Sequence, residues 1–331
     1  MIQCIGRMVA AIVVLAVSQP ALGQEDPAGT RKQDKSARQS PLINVATLQQ
    51  MLGQKNVRLI ELGKREEYNG GHIPNAVFLH WLEDITDQQI KERYNLIKPE
   101  VMQQLLRRCG VKNDDYIVLY DSLASRLATR FYWSLKVYGH RRILILNGGK
   151  QAWLAGKNTL TNVVPSVVPS QYRVAKTNKQ LSADMKFIGQ NIGNKEVMLV
   201  DGRPPAQFSG EEPGRVFHTG TPHKQRGHVP GAAHVFWKDN FNPDGTFKSV
   251  KQLRALYKEH GVVAGGAKTT VTYCNEGLHA APPWFVLHEL LGFKDVRVYD
   301  DSMSEWANSK QPMETGPSRQ KKPDDTPAKE K

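Results

Sequence analysis

The chain of 331 residues repeats itself in three places, and the three matches occur in the same order along both halves. The matched pairs are NVRLIELGKREEY (56–68) with EVMLVDGRPPAQF (196–208), GHIPNAVFLHW (71–81) with GHVPGAAHVFW (227–237), and GHRRILILNGGKQAW (139–153) with GFKDVRVYDDSMSEW (292–306). One such match could arise by chance, but three in order indicate an internal duplication. The fold must therefore be one that each half can form and that two copies can share.

Each copy alternates strand-like and helix-like segments. The segments YIVLY (116–120) and TTVTYC (269–274) are almost continuously apolar or β-branched, which is typical of strands in a sheet that is covered on both faces. Alternation of such strands with helical segments favours a parallel sheet. We therefore expect an α/β fold with a mainly parallel sheet in each copy.

The amino terminus has the pattern of a secretory signal peptide. Arg7 precedes an apolar run over 8–17, and the small residues Ala21 and Gly23 precede Gln24. The run is too short to cross a bilayer, which takes about 20 helical residues. We expect cleavage after Gly23, a periplasmic location, and no stable membrane insertion of the mature protein.

Composition changes along the chain set the predicted domain boundaries. Segments rich in charge and proline but poor in large apolar residues favour disorder, and a proline-containing stretch without helical period favours a linker. The prediction is a signal peptide over 1–23, a disordered linker over 24–40, a first domain over 41–160, an interdomain linker over 161–180, a second domain over 181–314 and a disordered tail over 315–331.

Three cysteines are too few for a disulfide framework in a chain of this length. Removal of the signal peptide would take Cys4 with it. Cys109 follows VMQQLLRR and precedes a glycine, which predicts a buried thiol at the end of an amphipathic helix. Cys274 ends a predicted strand and opens a short loop ahead of a predicted helix. A disulfide between Cys109 and Cys274 stays open at this point.

The formal net charge of +13 does not by itself indicate a nucleic-acid partner. The basic residues are scattered, and no module with interleaved aromatic and basic residues is present, so we expect no nucleic acid. A basic surface of this kind favours attraction of small anions or an anionic membrane, or simply solubility.

Four features together resemble the tandem-domain rhodanese family of sulfurtransferases, over roughly Pro41 to Met313. They are the two GH(I/V)P turns, the segment DGR (201–203), the loop CNEGLHA (274–280) and the segment YDDSMSEW (299–306). The resemblance implies two tandem rhodanese-like domains, each with helices on both faces of its sheet. It also implies a catalytic Cys274 that accepts sulfane sulfur as a persulfide. The first copy is usually inactive in such proteins, and here Asp121 stands where the second copy has Cys274.

The same resemblance implies the substrates. The donor would be a small sulfur anion such as thiosulfate, with 3-mercaptopyruvate as the alternative, and the acceptor would be cyanide or a thiol. We expect a monomer that needs no metal and no organic cofactor.

A cysteine that opens a loop ahead of a helix is expected to face inward-pointing backbone N–H groups and the positive end of the helix dipole. These groups should lower the thiol pKa and stabilise a persulfide anion. The predicted substrate-binding residues are Arg203, Asn275, Glu276, Gly277, Leu278 and His279. Arg203 could instead form an ion pair with Asp201. Near neutral pH, His279 could offer a partial positive charge, or it could be an exposed residue without a chemical role.

Two features leave the donor open. Glu276 in the loop, and Gln207 where many family members have an arginine, both disfavour a dianion. Between Phe208 and His228 the second copy has 20 positions where the first has 4, an insert over 209–227. Its basic and histidine residues, which could border the site or belong to a solvated loop, are Arg215, His218, His223, Lys224 and Arg226.

Other functions remain to be weighed against sulfur transfer. Phosphatases and arsenate reductases with a related loop need an arginine six positions after the cysteine, and Ala280 at that position disfavours them. A non-enzymatic persulfide carrier stays open. A purely structural protein would require a buried Cys274.

Overall fold

The computed structural model describes residues 40–87, 89, 94–217 and 219–317. The predicted signal peptide over 1–23, the linker up to residue 39, His218 and the tail from residue 318 lie outside the described residues. Among the helices of the described ranges, none has both the length and the apolar character that a membrane span needs.

The first half of the chain forms a five-stranded parallel sheet. Its strands are β1 (Leu42–Ile43), β2 (Val57–Gly63), β3 (Ala76–His80), β4 (Tyr116–Tyr120) and β5 (Ile143–Leu146). They lie in the order β1-β5-β4-β2-β3. The helices of this half are α1 (Val45–Met51), α2 (Arg65–Asn69), α3 (Pro99–Arg108), α4 (Arg126–Val137) and α5 (Gly149–Ala155).

The second half repeats this arrangement. Its strands are β6 (Ser182–Ala183), β7 (Val197–Asp201), β8 (Ala233–His234), β9 (Thr269–Tyr273) and β10 (Val296–Tyr299). They lie in the parallel order β6-β10-β9-β7-β8, which is the order of the first sheet. The helices are α6 (Met185–Gln190), α7 (Pro205–Ser209), α8 (Val250–Glu259), α9 (Ala281–Phe285) and α10 (Ser302–Trp306). The predicted α/β fold with two copies of one unit is confirmed.

Apolar side chains on both faces explain why the strands read as continuous apolar runs. Side chains alternate between the two faces of a strand. In the first sheet, Leu59 and Val118 belong to one apolar cluster, whereas Ile60 and Leu119 belong to another on the opposite face. Both faces are therefore covered, and no face is left to solvent.

The two halves share one apolar core. The larger cluster contains residues of both sheets and of the helices α4 and α9, which pack together between them. The Tyr132 ring of α4 lies 5.0 Å from the Phe285 ring of α9 at 85°, and 6.3 Å from the Trp284 ring. Because burial of apolar area drives folding, each half stabilises the other.

The repeated Gly-His turns are built in the same way in both halves. His72 stacks on Tyr68 and His228 stacks on Phe208, each with ring centroids 3.7 Å apart. Each histidine Nδ1 also lies within hydrogen-bond distance of the carbonyl oxygen of its stacking partner, at 3.0 Å and 2.7 Å. The two histidines stabilise turns, as their presence in both copies predicts.

Cys109 is buried at the carboxyl end of α3, where Gly110 follows with φ 66°. Burial raises the pKa of this thiol to about 12, so it is protonated near neutral pH. Cys109 and Cys274 are both free, so they form no disulfide with each other.

The segment between the two sheets lies against the first half. Its Thr161 exchanges backbone hydrogen bonds with His72, and Ser170 N–H donates to the Arg107 carbonyl at 3.0 Å. Tyr172 is buried there. The sequence-based domain boundaries themselves stay predictions.

The shared core predicts that the second half cannot replace the whole. Expression of residues 180–314 alone should yield insoluble or inactive protein, because Trp284 and Phe285 would lose the α4 face that covers them. The control is the chain from residue 40 to 317, purified in parallel. Gel filtration and circular dichroism measure the outcome, and a soluble, fully active fragment would contradict the prediction.

Candidate active site

Cys274 follows β9 directly and opens a loop over residues 274–280 that leads into α9; we call it the cysteine loop. The loop is anchored by the turn after β10. The Cys274 N–H donates to Ser302 Oγ at 3.1 Å, and the Met303 N–H donates to the Cys274 carbonyl at 3.1 Å. The Ser302 hydroxyl donates in turn to the Tyr299 carbonyl at 2.7 Å. These bonds fix the direction of the cysteine side chain.

Backbone N–H groups converge on the sulfur. Those of Glu276, Gly277 and His279 act to lower the pKa of the Cys274 thiol and so favour its thiolate. Gly277 has φ 87°, and a Cβ at this position would lie 2.5 Å from the Asp300 carbonyl oxygen. Only glycine permits this approach, so the curvature that aims the N–H groups depends on it.

The free Cys274 is nevertheless a thiol at neutral pH. Burial raises its pKa to about 11, the Glu276 carboxyl adds to that rise, and the three N–H groups oppose it only in part. The expectation of a lowered pKa is wrong for the resting protein, because desolvation outweighs the hydrogen bonds. The side chain is 1% exposed, which meets the condition that a purely structural role would require.

Glu276 is buried beside the sulfur and is not the anion expected from the sequence. Burial raises its pKa to about 8, although the Phe217 N–H donates a hydrogen bond to its carboxyl oxygen and opposes the rise. Near pH 7 the side chain is therefore mainly the neutral acid. Repulsion of an anionic donor by Glu276 begins only as pH approaches 8.

The insert over 209–227 borders the cysteine loop. Besides the contact of Phe217 with Glu276, a Cβ built at Gly214 would lie 2.8 Å from Asn275 Oδ1, so this backbone lies directly against the loop. His223 is buried there, and burial together with the nearby Arg203 lowers its pKa to about 4. Its neutral ring adds no charge to the site. The basic side chains of the insert that are exposed are Arg215, Lys224 and Arg226.

Arg203 forms the structural ion pair rather than an open anion site. Its guanidinium is 1% exposed, lies 2.7 Å from Asp201 Oδ2, and donates to the Gly227 carbonyl at 2.7 Å. The ion pair is the alternative that the sequence left open for Arg203, and its role in substrate binding stays a prediction. Gln207, at the position where many family members have an arginine, is buried, and its Oε1 accepts a hydrogen bond from Asn275 Nδ2 at 2.9 Å.

Leu278 has the same surroundings as the cysteine. Its side chain, like that of Cys274, is 1% exposed and belongs to the core that the two halves share, so its binding role stays a prediction. Asn275 and Glu276 remain next to the sulfur, and Gly277 contributes its backbone. The binding roles of these three residues stay predictions.

The His279 ring lies between Trp237 of its own half and Arg126 of the other half. The ring stacks on Trp237 with centroids 4.8 Å apart, and its Nε2 lies 3.1 Å from Arg126 Nη1. A guanidinium can only donate, so Nε2 accepts and the ring is the neutral Nδ1–H tautomer. Burial, Arg126 and Lys238 hold the His279 pKa well below its usual range. The expectation that His279 carries a partial positive charge near neutral pH is therefore wrong.

Arg126 is the cation that sequence reasoning missed. It begins α4 in the first half and meets the cysteine loop across the shared core. The duplication gave the available signal: Arg126 is the fifth residue after Asp121 (126 − 121 = 5), and His279 is the fifth after Cys274 (279 − 274 = 5). Equivalent loop positions of the two copies touch each other.

The equivalent segment of the first half is residues 121–128, and we call it the aspartate loop. Its backbone N–H groups bind the carboxylate of its own first residue. The buried Asp121 carboxylate accepts four hydrogen bonds at 2.7–3.0 Å, from the N–H groups of Leu123, Ser125, Leu127 and Ala128. Burial raises the Asp121 pKa, and these N–H groups oppose the shift. The loop of this fold is therefore built to hold a negative group at the position of the Cys274 side chain.

No group of three His, Cys, Asp or Glu residues within the described ranges is arranged to hold a metal ion. The arrangement at Cys274 can accept and stabilise one negatively charged sulfur.

Comparison with known proteins agrees with this geometry. The model of the rhodanese-like domain matches residues 44–156 and 185–309. A thiosulfate sulfurtransferase of Corynebacterium glutamicum is 33% identical over 281 residues, which are 83% of this chain and 90% of the relative. The sulfur carrier protein TtuD of Thermus thermophilus is 33% identical over 271 residues, which are 81% of this chain and 93% of the relative.

A solved structure shows the same fold. The crystal structure of SseA from Escherichia coli, described among the 3-mercaptopyruvate sulfotransferases, has a TM-score of 0.70 at 24% sequence identity. The match covers 80% of this chain and 100% of that chain. With two matched copies of the domain and relatives that align over most of its length, the chain belongs to the rhodanese family as a tandem member with two rhodanese-like domains.

Proposed function

We propose that this protein is a sulfurtransferase that moves sulfane sulfur from a small anionic donor, such as thiosulfate, to a thiophilic acceptor, such as cyanide or a thiol. The transferred sulfur is carried as a persulfide of Cys274. Convergence of the Glu276, Gly277 and His279 N–H groups on the Cys274 sulfur carries the proposal. The relative named thiosulfate sulfurtransferase supports this donor class.

In the first step the Cys274 thiol loses its proton to solvent, and the thiolate attacks the outer sulfur of thiosulfate. A bond forms between Sγ and that sulfur, the sulfur–sulfur bond of thiosulfate breaks, and sulfite leaves with the bonding electron pair. The enzyme becomes Cys–S–S⁻. Donors already aimed at the place where this charge develops stabilise it without reorganisation.

In the second step the acceptor attacks the terminal sulfur. With cyanide, a carbon–sulfur bond forms, the bond to Sγ breaks, and thiocyanate leaves while Cys274 keeps the electron pair as a thiolate. The same N–H groups stabilise that thiolate, and uptake of a proton restores the resting thiol. No redox partner is needed, because the sulfur that thiosulfate supplies is already at the oxidation level of the outer sulfur of a persulfide.

The first half contributes structure rather than a second nucleophile. Asp121 occupies its loop and has no sulfur to exchange. This half covers the apolar face of the second and supplies Arg126 next to His279. We propose a monomer, because the internal copy already provides the partner that a single domain would need.

A second candidate function is a sulfur carrier that delivers the persulfide to a partner protein. The name of the Thermus thermophilus relative favours it. Steady-state turnover separates the two, since an enzyme turns over thiosulfate and cyanide many times per protein, whereas a carrier stops after one sulfur without its partner.

We also propose that the protein works in the periplasm after loss of residues 1–23, which the Arg7, apolar and small-residue pattern supports. Expression of the full sequence in a Gram-negative host should give a periplasmic protein whose measured mass is that of a chain beginning at Gln24. A chain that keeps residues 1–23 in the cytoplasm would contradict this location.

Whole-protein mass spectrometry after exposure to thiosulfate tests the nucleophile. The wild type and Cys109→Ala should both gain the mass of one sulfur atom, and cyanide should remove it. Cys274→Ser should keep its fold and gain no sulfur. Cys109→Ala is the matched control because that thiol is also buried and free. Gain of sulfur by Cys274→Ser, or failure of both variants to gain sulfur, would refute the assignment of Cys274 as the nucleophile.

Glu276→Gln tests the charge next to the sulfur. Because the folded-state pKa of Glu276 is about 8, wild type and variant carry the same neutral group well below pH 8 and differ only above it. Above pH 8 the wild-type carboxylate raises the Cys274 pKa and repels the donor. The variant should then form persulfide about tenfold faster, from a charge pair worth on the order of 1–4 kcal/mol.

Stopped-flow measurement of persulfide formation from pH 6 to pH 9.5 gives the ratio of the two rates. The control is Glu212→Gln, which removes an exposed carboxylate from the insert. Its ratio to wild type should stay near one at every pH. A ratio for Glu276→Gln that does not change with pH would show that this charge plays no part.

A further inference from the structure

A cavity of about 410 Å³ opens between the two halves at a place where Cys274 does not line it. Its first-half wall is formed by residues 122–126 of the aspartate loop, together with Gln151. Its second-half wall includes Trp237, Lys238 and Phe241. A volume of this size lies in the range of small-molecule sites.

The cavity is the counterpart, in the first half, of the space over Cys274. Its loop wall belongs to the same loop, and Arg126 within it is the equivalent of His279. Trp237 closes the Gly-His segment over 227–237, as Trp81 closes the matching segment over 71–81. The duplicated fold thus has one such space over Cys274 and one in the first half. In the first half the backbone N–H groups of the loop bind the Asp121 carboxylate, and the cavity next to them is open.

The charges that face the cavity are positive. Arg126 and Lys238 line it, and the residues lining it in the described part of the chain include no aspartate or glutamate. Arg126 Nε is buried without a hydrogen-bond partner, and no carboxylate of the described residues lies within ion-pair distance of this guanidinium. Burial lowers the Arg126 pKa, although the nearby Asp121 carboxylate opposes that shift. A half-buried guanidinium that has no ion-pair partner among the described residues is incompletely compensated, and an anion in the cavity would supply the missing partner.

The rest of the wall combines the polar side chains of Ser122, Gln151 and Asn242 with an apolar part that includes two aromatic rings. The Trp237 and Phe241 rings are almost fully buried and lie 6.1 Å apart, and the Arg126 guanidinium lies 5.8 Å from the Trp237 ring. A guanidinium beside aromatic rings suits a ligand that has one charged end and an apolar body.

We propose that this cavity is a second ligand site, separate from Cys274, that binds a small organic anion: a carboxylate or sulfonate on an apolar body. The charged group contacts Arg126 and Lys238, and the body packs on Trp237 and Phe241.

Binding of a ligand in the cavity should alter the surroundings of the cysteine loop. Arg126 donates to His279 Nε2, and Trp237 stacks on the same ring, so both groups that would hold the ligand also hold His279. The His279 backbone N–H is one of those aimed at the Cys274 sulfur. This consequence rests on the proposed function, whereas binding itself does not.

Titration calorimetry of the full protein with benzenesulfonate, before any exposure to a sulfur donor, tests the binding. We expect millimolar or tighter affinity and weakening by about tenfold or more in Arg126→Gln, as for loss of a charged hydrogen bond. Gln151→Phe should weaken binding similarly by filling the cavity from an exposed helix position without touching the cations. Lys238→Gln should have a smaller effect that fades at high salt, since Lys238 is exposed.

The matched control is Arg141→Gln, which removes an exposed arginine of the first half away from the cavity and should leave the Kd unchanged. The His279 ring signals, followed by NMR, should shift with the probe in wild type and not in Gln151→Phe. Absence of binding in wild type, or an unchanged Kd in both Arg126→Gln and Gln151→Phe, overturns the proposal. Binding without any sulfur transfer would refute the proposed function and leave this site intact.

Discussion

Backbone N–H groups that converge on one point after a parallel strand are the interaction on which this structure depends. They occur twice, because the chain is duplicated. In the aspartate loop four of them hold the Asp121 carboxylate, and in the cysteine loop three of them face the Cys274 sulfur. Positive φ at Gly277 and the anchoring turn after β10 set their direction. The two sheets and their shared core hold these loops in place.

Burial and charge oppose each other at the sulfur. The resting site is nearly neutral, since burial raises the pKa of Cys274 to about 11 and that of Glu276 to about 8 and leaves His279 unprotonated. The N–H groups of such a site stabilise the sulfur most when it carries a full negative charge, as the outer sulfur of a persulfide does. Arg126 brings a positive charge into contact with the loop, and it comes from the half without a nucleophile.

The sequence was sufficient for what depends on pattern. Duplicated segments predicted two equal sheets, continuous apolar strands predicted parallel sheets covered on both faces, and a cysteine at a strand end predicted the loop of Cys274. It left open what tertiary packing decides. Leu278 looks like an ordinary loop residue in sequence yet lies in the core, and only the structure shows that Arg203 forms the ion pair with Asp201, one of the two roles that the sequence allowed it. The protonation of Glu276 and His279 follows from burial, which a single sequence does not reveal.

The central claim is that the cysteine loop holds a sulfur anion as the aspartate loop holds a carboxylate. A crystal structure of the protein after reaction with thiosulfate tests it most directly. The account predicts one extra sulfur on Cys274, with its terminal atom at roughly hydrogen-bond distance for sulfur, about 3.5 Å, from the N–H groups of Glu276, Gly277 and His279. A terminal sulfur that points away from these groups, or extra density on Cys109 instead, would contradict it.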